Sequence, residues 1–140
     1  MNKGITPPVR FWISAAALTV WHLIGCAIYL ATVSADPATL DAATQAYLDA
    51  TPVWATAAYA VAVWAGMAAA IALLLRRRQA RGLFALSFVA VIVQNIYAFG
   101  FGGALQTLGP TATVIPALVI LFLIFAMILA RRAATKGWIR

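Results

Sequence analysis

The sequence predicts an all-α protein, a four-transmembrane-helix bundle with a short amphipathic helix in its first outer loop. Three observations carry that expectation. Residues 11–33, 52–75, 82–105 and 113–130 are apolar stretches close to the about 20 residues that a helix needs to cross a bilayer. With 65% hydrophobic and 9% charged residues, the chain has too little polar surface to cover a water-facing core. Finally, its ten Lys and Arg residues fall in three blocks, each beside an apolar stretch. At 140 residues, the whole chain reads as a single membrane domain.

The first block holds Lys3 and Arg10 around Thr6-Pro7-Pro8. Proline is tolerated in a first helical turn, so the first helix is expected to begin near Pro8. Phe11–Val33 carries no charge, and Trp12 suits the aromatic belt of a membrane–water interface. The Val33-Ser34-Ala35 triplet resembles a signal-peptide cleavage site. Because the apolar run exceeds the roughly 7–15 residues of a signal-peptide core, the segment is read as a retained span.

All three acidic residues, Asp36, Asp41 and Asp49, lie between Ser34 and Thr51. Asp36-Pro37 is a cap followed by a proline at the first helical position. Leu40, Ala43, Tyr47 and Leu48 recur at helical spacing, which predicts an amphipathic helix lying on the outer surface. Thr51-Pro52 opens the second span. Its Ala55, Ala58, Ala62, Gly66 and Ala70 fall near one face, and small residues so spaced let backbones approach, so this helix is expected at the centre.

Arg76, Arg77, Arg78 and Arg81 form the second basic block, a hairpin into the third span. That span ends in the glycine-loosened Phe99-Gly100-Phe101-Gly102-Gly103, and Leu108-Gly109-Pro110 reads as a turn. The fourth span is almost wholly apolar from Leu118 on, so it is expected to face lipid broadly. Arg131, Arg132, Lys136 and Arg140 close the chain, with Trp138 as an interfacial anchor. Basic residues flank the N-terminus, the middle hairpin and the C-terminus, while the other two connections have none. This positive-inside pattern predicts both termini on the cytoplasmic side of a bacterial inner membrane. The charge of +7 is therefore assigned to anionic lipid headgroups on that side and not to nucleic acid.

Polar residues within the spans mark where a site would lie. His22 is twelve residues after Arg10 and Gln94 thirteen after Arg81, depths of roughly 18 and 20 Å at helical rise. Asn95 and Trp64 fall near that level, and Tyr29, Tyr59 and Tyr97 roughly 24–28 Å from the basic side. These seven residues are the candidate ligand site, uncharged and rich in amides and aromatic faces. Such a lining suits a small neutral polar solute, a sugar or polyol. Alternatively, Gln94 and Asn95 hold helices together by interhelical hydrogen bonds, the commoner use of such residues in membranes.

Neither metal nor haem is expected. His22 has Cys26 one turn away, which falls short of a four-coordinate site, and the chain has no second histidine. No nucleophile with its base, phosphate-binding loop or carboxylate pair is present, so catalysis is not expected either. The second functional class is a non-catalytic accessory subunit of a larger membrane complex, and homo-oligomerisation also remains open.

Several short motifs resemble one family. They are Trp21-His22-Leu23-Ile24-Gly25, Thr51-Pro52-Val53-Trp54, Leu83-Phe84-Ala85-Leu86-Ser87 and Gln94-Asn95-Ile96-Tyr97, followed by Pro116 and the ending Ala130-Arg131-Arg132 with Lys136-Gly137-Trp138-Ile139-Arg140. Together they are similar to small four-span bacterial inner-membrane proteins often labelled sugar transporters. The resemblance implies the same architecture and adds little beyond it. Asparagine is more usual there at the position of His22, and no catalytic residue carries over.

Overall fold

The computed structural model describes residues 6–140, and every regular element among them is helical. Lys3 of the first basic block lies outside the described residues. Helix α1 (Val9–Val33) starts after Pro8, as expected, and closes where the Ser34 hydroxyl and N–H donate to the Leu30 carbonyl at 2.6 and 3.0 Å.

The outer loop departs from the expected single helix. Asp36 caps only a short 3-10 turn, Pro37–Thr39, and Leu40 then returns to extended backbone. Asp41 is the stronger cap. Its carboxylate accepts from the Ala43 and Thr44 N–H groups and from the Thr44 hydroxyl at 2.7 Å, and so starts α2 (Ala42–Ala50). The Thr44 hydroxyl, more than any other contact, holds the Asp41 carboxyl below its ordinary pKa.

Helix α3 (Val53–Leu74) follows Pro52. Helix α4 begins at Gln79, not Gly82, and runs to Ile96 before widening into a π turn over Tyr97–Phe101. The Gly102 N–H reaches back five residues to the Tyr97 carbonyl at 2.6 Å. Gly103 then takes φ 63°, a left-handed conformation that glycine adopts without strain. The third span therefore ends near residue 101, and Ala104–Leu108 is a separate short helix, α5. After a 3-10 turn over Pro110–Thr113, α6 (Val114–Thr135) outlasts its expected end at residue 130. Charge ends an apolar run without ending a helix, so Arg131 and Arg132 simply continue it.

Four helices, Val9–Val33, Val53–Leu74, Gln79–Phe101 and Pro110–Thr135, are long and apolar enough to cross a membrane. Helices α3 and α4 form the tightest antiparallel pair; α1 lies against α3, α6 against α4, and α1 and α6 meet at few points. The centre is thus shared by α3 and α4 rather than held by α3 alone. Ala55, Ala62, Gly66 and Ala70 of the small-residue face are buried, and Ala58 is half-buried. Helix α6 buries only Leu123, Ala126, Ala130 and Ala133 and leaves Leu121 and Phe125 on the outside, as its sequence predicts.

The bulky core sits in the half nearest the 75–78 hairpin, where Phe11, Leu18, Leu73, Phe84, Leu123 and Ile139 are fully buried. The C-terminal residues complete it. Beyond Gly137 the chain folds back, and the expected interfacial anchor Trp138 is instead buried edge-on against Phe11, with ring centroids 5.8 Å apart. The Arg140 N–H donates to the Arg76 carbonyl at 2.7 Å, and the Arg78 N–H to the Arg140 carbonyl at 2.8 Å. Arg76, at φ 57°, also donates from Nε to the Trp138 carbonyl at 2.6 Å. At the opposite, loop end, the Tyr97 hydroxyl donates to the Ala50 carbonyl at 3.1 Å and pins α2 to the bundle. Burial there pushes the Tyr47 hydroxyl pKa up, with nearby Tyr97 adding to the shift.

Two outcomes follow from these ends. Trp138→Ala is expected to destabilise the bundle by about 3 kcal/mol, the usual cost of truncating a buried tryptophan, measured by thermal unfolding in detergent. The Asp41 cap has a defined pH dependence. Its folded pKa is depressed, so its contribution is present above the ordinary aspartate pKa and is lost as pH falls through the lower folded value. Amide exchange at Ala43 and Thr44 should therefore accelerate, relative to the interior of α3, only in that acidic range.

Candidate functional site

The solid packing of the hairpin half gives way at the level of His22 and Leu123. Beyond them a cavity of about 390 Å³ lies between α1, α3, α4 and α6. Helical periodicity sets its walls. Helix α1 contributes Trp21, Gly25 and Ile28 on one stripe with His22 beside it, and α4 contributes Ser87, Val91, Gln94 and Asn95 at successive turns. Tyr59, Ala62 and Val63 come from α3, and Ile115, Pro116 and Val119 from α6. Proline is accommodated in the first turn of α6, where its missing N–H has no helical partner to lose.

Gly66 decides where the imidazole of His22 sits. A Cβ at position 66 would lie 2.5 Å from His22 Cδ2, 2.7 Å from Nε2 and 3.1 Å from Ser87 Oγ. The ring therefore occupies the space a side chain would take on α3. Its Nδ1 lies 2.8 Å from the Leu18 carbonyl, which only accepts, so Nδ1 carries the proton; in the neutral ring Nε2 is then an acceptor. Phe84 packs against the ring with centroids 5.8 Å apart. Ser87 spends its hydroxyl proton across the helix pair, on the Ala62 carbonyl at 2.6 Å.

The amides behave differently from the interhelical pair considered above. Asn95 Nδ2 donates to the Val91 carbonyl of its own helix at 2.8 Å, which leaves Oδ1 for the cavity. Gln94 makes no side-chain hydrogen bond to the described residues and lines the cavity directly. Among the described residues, no Asp, Glu, Lys or Arg lines it, and no group of three His, Cys, Asp or Glu is placed to hold a metal ion.

Of the seven candidate residues, the structure brings His22, Tyr59, Gln94 and Asn95 together around the cavity and leaves Tyr29, Trp64 and Tyr97 out of its lining. Trp64 is 48% exposed on the outer surface. It lies two residues from both Ala62 and Gly66, a turn of about 200° from the inward face. Tyr29 packs edge-on against Tyr59 and Trp64 at 5.1 and 6.3 Å. Tyr97 is buried beside Trp54 and serves the loop contact to Ala50. Depth along the helices was the basis for these three, and depth carries no azimuth.

Sequence reasoning missed Trp21, Ser87 and Pro116. Ser87 had a legible signal, since it precedes Gln94 by seven residues and so shares its face. Trp21 lines the cavity and stacks on Phe122 at 4.2 Å, closing the hairpin side of the gap between α1 and α6. No family model, curated protein or solved structure matches the chain.

The His22–Gly66 contact gives a direct test. Gly66→Ala is expected to cost about 1–3 kcal/mol, because the added methyl must displace a packed ring. Gly25→Ala meets nothing within 4 Å and should be neutral or slightly stabilising. Adding His22→Ala to Gly66→Ala should recover part of the loss, read as a positive coupling in a double-mutant cycle by thermal unfolding.

Proposed function

We propose that this multi-pass membrane protein binds a small uncharged solute in the cavity between α1, α3, α4 and α6, and that it does so without catalysis. The observation that carries the reading is the state of the amides. Among the described residues Gln94 and Asn95 make no side-chain hydrogen bond between helices, and both line a cavity that also receives His22, Tyr59 and Ser87. A charged solute would need an opposite charge to offset its desolvation, and the lining has none. The likeness to four-span proteins labelled sugar transporters belongs to the same proposal, as does a transport role.

The proposal includes an orientation. Arg10, Arg76, Arg77, Arg78, Arg81, Arg131, Arg132, Lys136 and Arg140 all fall toward the hairpin end, and Asp36, Asp41 and Asp49 toward the loop end. In a bacterial inner membrane that distribution supports an orientation with both termini in the cytoplasm and the basic residues at anionic headgroups.

Two experiments test these statements. Reporter fusions after Gln79 and at the C-terminus should read cytoplasmic and one at Thr44 periplasmic; a periplasmic signal at Gln79 would overturn the orientation. For the site, a panel of uncharged sugars, polyols and small alcohols should contain members that raise the melting temperature. Mass action makes the gain about 2.7 kcal/mol at a hundredfold excess over Kd. Gln94→Leu with Asn95→Leu should abolish the rise. No shift across the panel, with the double variant more stable than wild type, would favour an accessory subunit of a larger complex instead.

A further inference from the structure

The deep end of the cavity is chemically one-sided. His22 is 92% buried, its Nδ1 proton is committed to Leu18, and Nε2 has no hydrogen-bond partner among the described residues. Beside it Ser87 has given its only proton to the Ala62 carbonyl, which leaves lone pairs on Oγ. Both atoms flank the same small space over Gly66. In the neutral imidazole form this corner accepts hydrogen bonds and has none left to donate. A ligand seated there must bring the proton.

The rest of the lining sets the body of that ligand. Ile24, Ile28, Val119, Ile115 and Leu123 surround the cavity with hydrocarbon. Ile24, Ile28 and Ile115 are also 52%, 50% and 59% exposed on the outer surface of the bundle. They stand on α1 and α6, the two long helices that meet at few points, so the mouth faces the surroundings of the bundle between apolar side chains. In a bilayer those surroundings are acyl chains. A polyol would bring several hydroxyl groups to walls that satisfy only a few of them, and each unsatisfied one costs free energy.

The geometry points to a membrane-soluble alcohol or phenol as the ligand, entering from the lipid between α1 and α6 and donating its hydroxyl proton to His22 Nε2. This rests on the reading of the cavity as a site for an uncharged solute, and narrows it to an apolar body with one donor. Ser87 Oγ and the Asn95 carbonyl oxygen are further acceptors within the same cavity, as is the Gln94 amide oxygen.

The test uses a matched pair, radiolabelled para-pentylphenol and its methyl ether, which share an apolar body and differ in the donor. Equilibrium binding is measured to the full chain in lipid nanodiscs, with empty nanodiscs subtracted to remove partitioning. The phenol is expected to bind saturably and about tenfold more tightly than the ether, the factor that one hydrogen bond typically contributes. His22→Phe, which keeps an aromatic ring and removes the acceptor, should bring the phenol to the affinity of the ether. Equal affinities in the wild type overturn the proposal, and this comparison decides it even if the variant does not fold. A preference that survives in folded His22→Phe overturns the role of Nε2. Saturable binding of glycerol or glucose with no binding of the phenol overturns the proposal and leaves the uncharged-solute reading standing, whereas no saturable binding by any of the four probes overturns both.

Discussion

The bundle depends on a contact in which one helix supplies a ring and another supplies nothing. Because Gly66 has no side chain, the His22 imidazole reaches the backbone of α3 and stands beside Ser87 of α4. Three helices are registered by that single insertion. Around it the neighbours are small, with Ala62, Ala65, Ala69 and Ala70 buried on α3 and Ala90 on α4. Tight α3–α4 packing and a polar corner are thus consequences of the same choice of small residues. Close approach of backbones is the usual source of association between apolar helices, which gain little from burial when lipid is the alternative.

A second constraint is hydrogen bonding where the surroundings offer none. Thr19, Thr32 and Asn95 each satisfy a side-chain donor on a carbonyl four residues back in their own helix. Ser87 does so across the helix pair. No fully buried side-chain nitrogen or oxygen among the described residues is left without a partner. The polar groups with capacity to spare, His22 Nε2, Gln94 and the Asn95 oxygen, stand on the cavity. That sorting gives chemical meaning to a cavity in an otherwise ordinary four-helix arrangement.

The spans, their order and the outer helix were legible because hydropathy and charge placement act residue by residue. Boundaries were less so. Arg131 and Arg132 marked the end of an apolar run inside a continuing helix, and the glycines at 102 and 103 ended a span earlier than composition suggested. Asp36 was read as the cap of the outer helix, whereas Asp41, which reaches more donors, is the residue that starts it. For the site, counting along the chain put His22 and Gln94 at one level, and both line the cavity, but it also admitted Trp64, which points the other way round its helix. The C-terminal turn was illegible for a different reason. Burial of Trp138 and Ile139 depends on a bridge between residues 76–78 and 140, and no local pattern announces a pairing across so long a separation.

That bridge also determines how the bundle can deform. At the hairpin end α6 is tied in twice, through the 76–140 backbone pairing and through Trp138 on Phe11, and the Trp21–Phe122 stack is its last aromatic tie to α1. Past that stack α6 has α4 on one side and a gap on the other. Its far end is tied less directly, through the 3-10 turn to α5 and from there to α2. A helix of 22 residues is roughly 33 Å long at helical rise, so tilting it by about 5° about its hairpin end moves its far end by roughly 3 Å. A displacement of that size would fall at Ile115 and Pro116, on the cavity wall, while Ala130 and Ala133 stay packed.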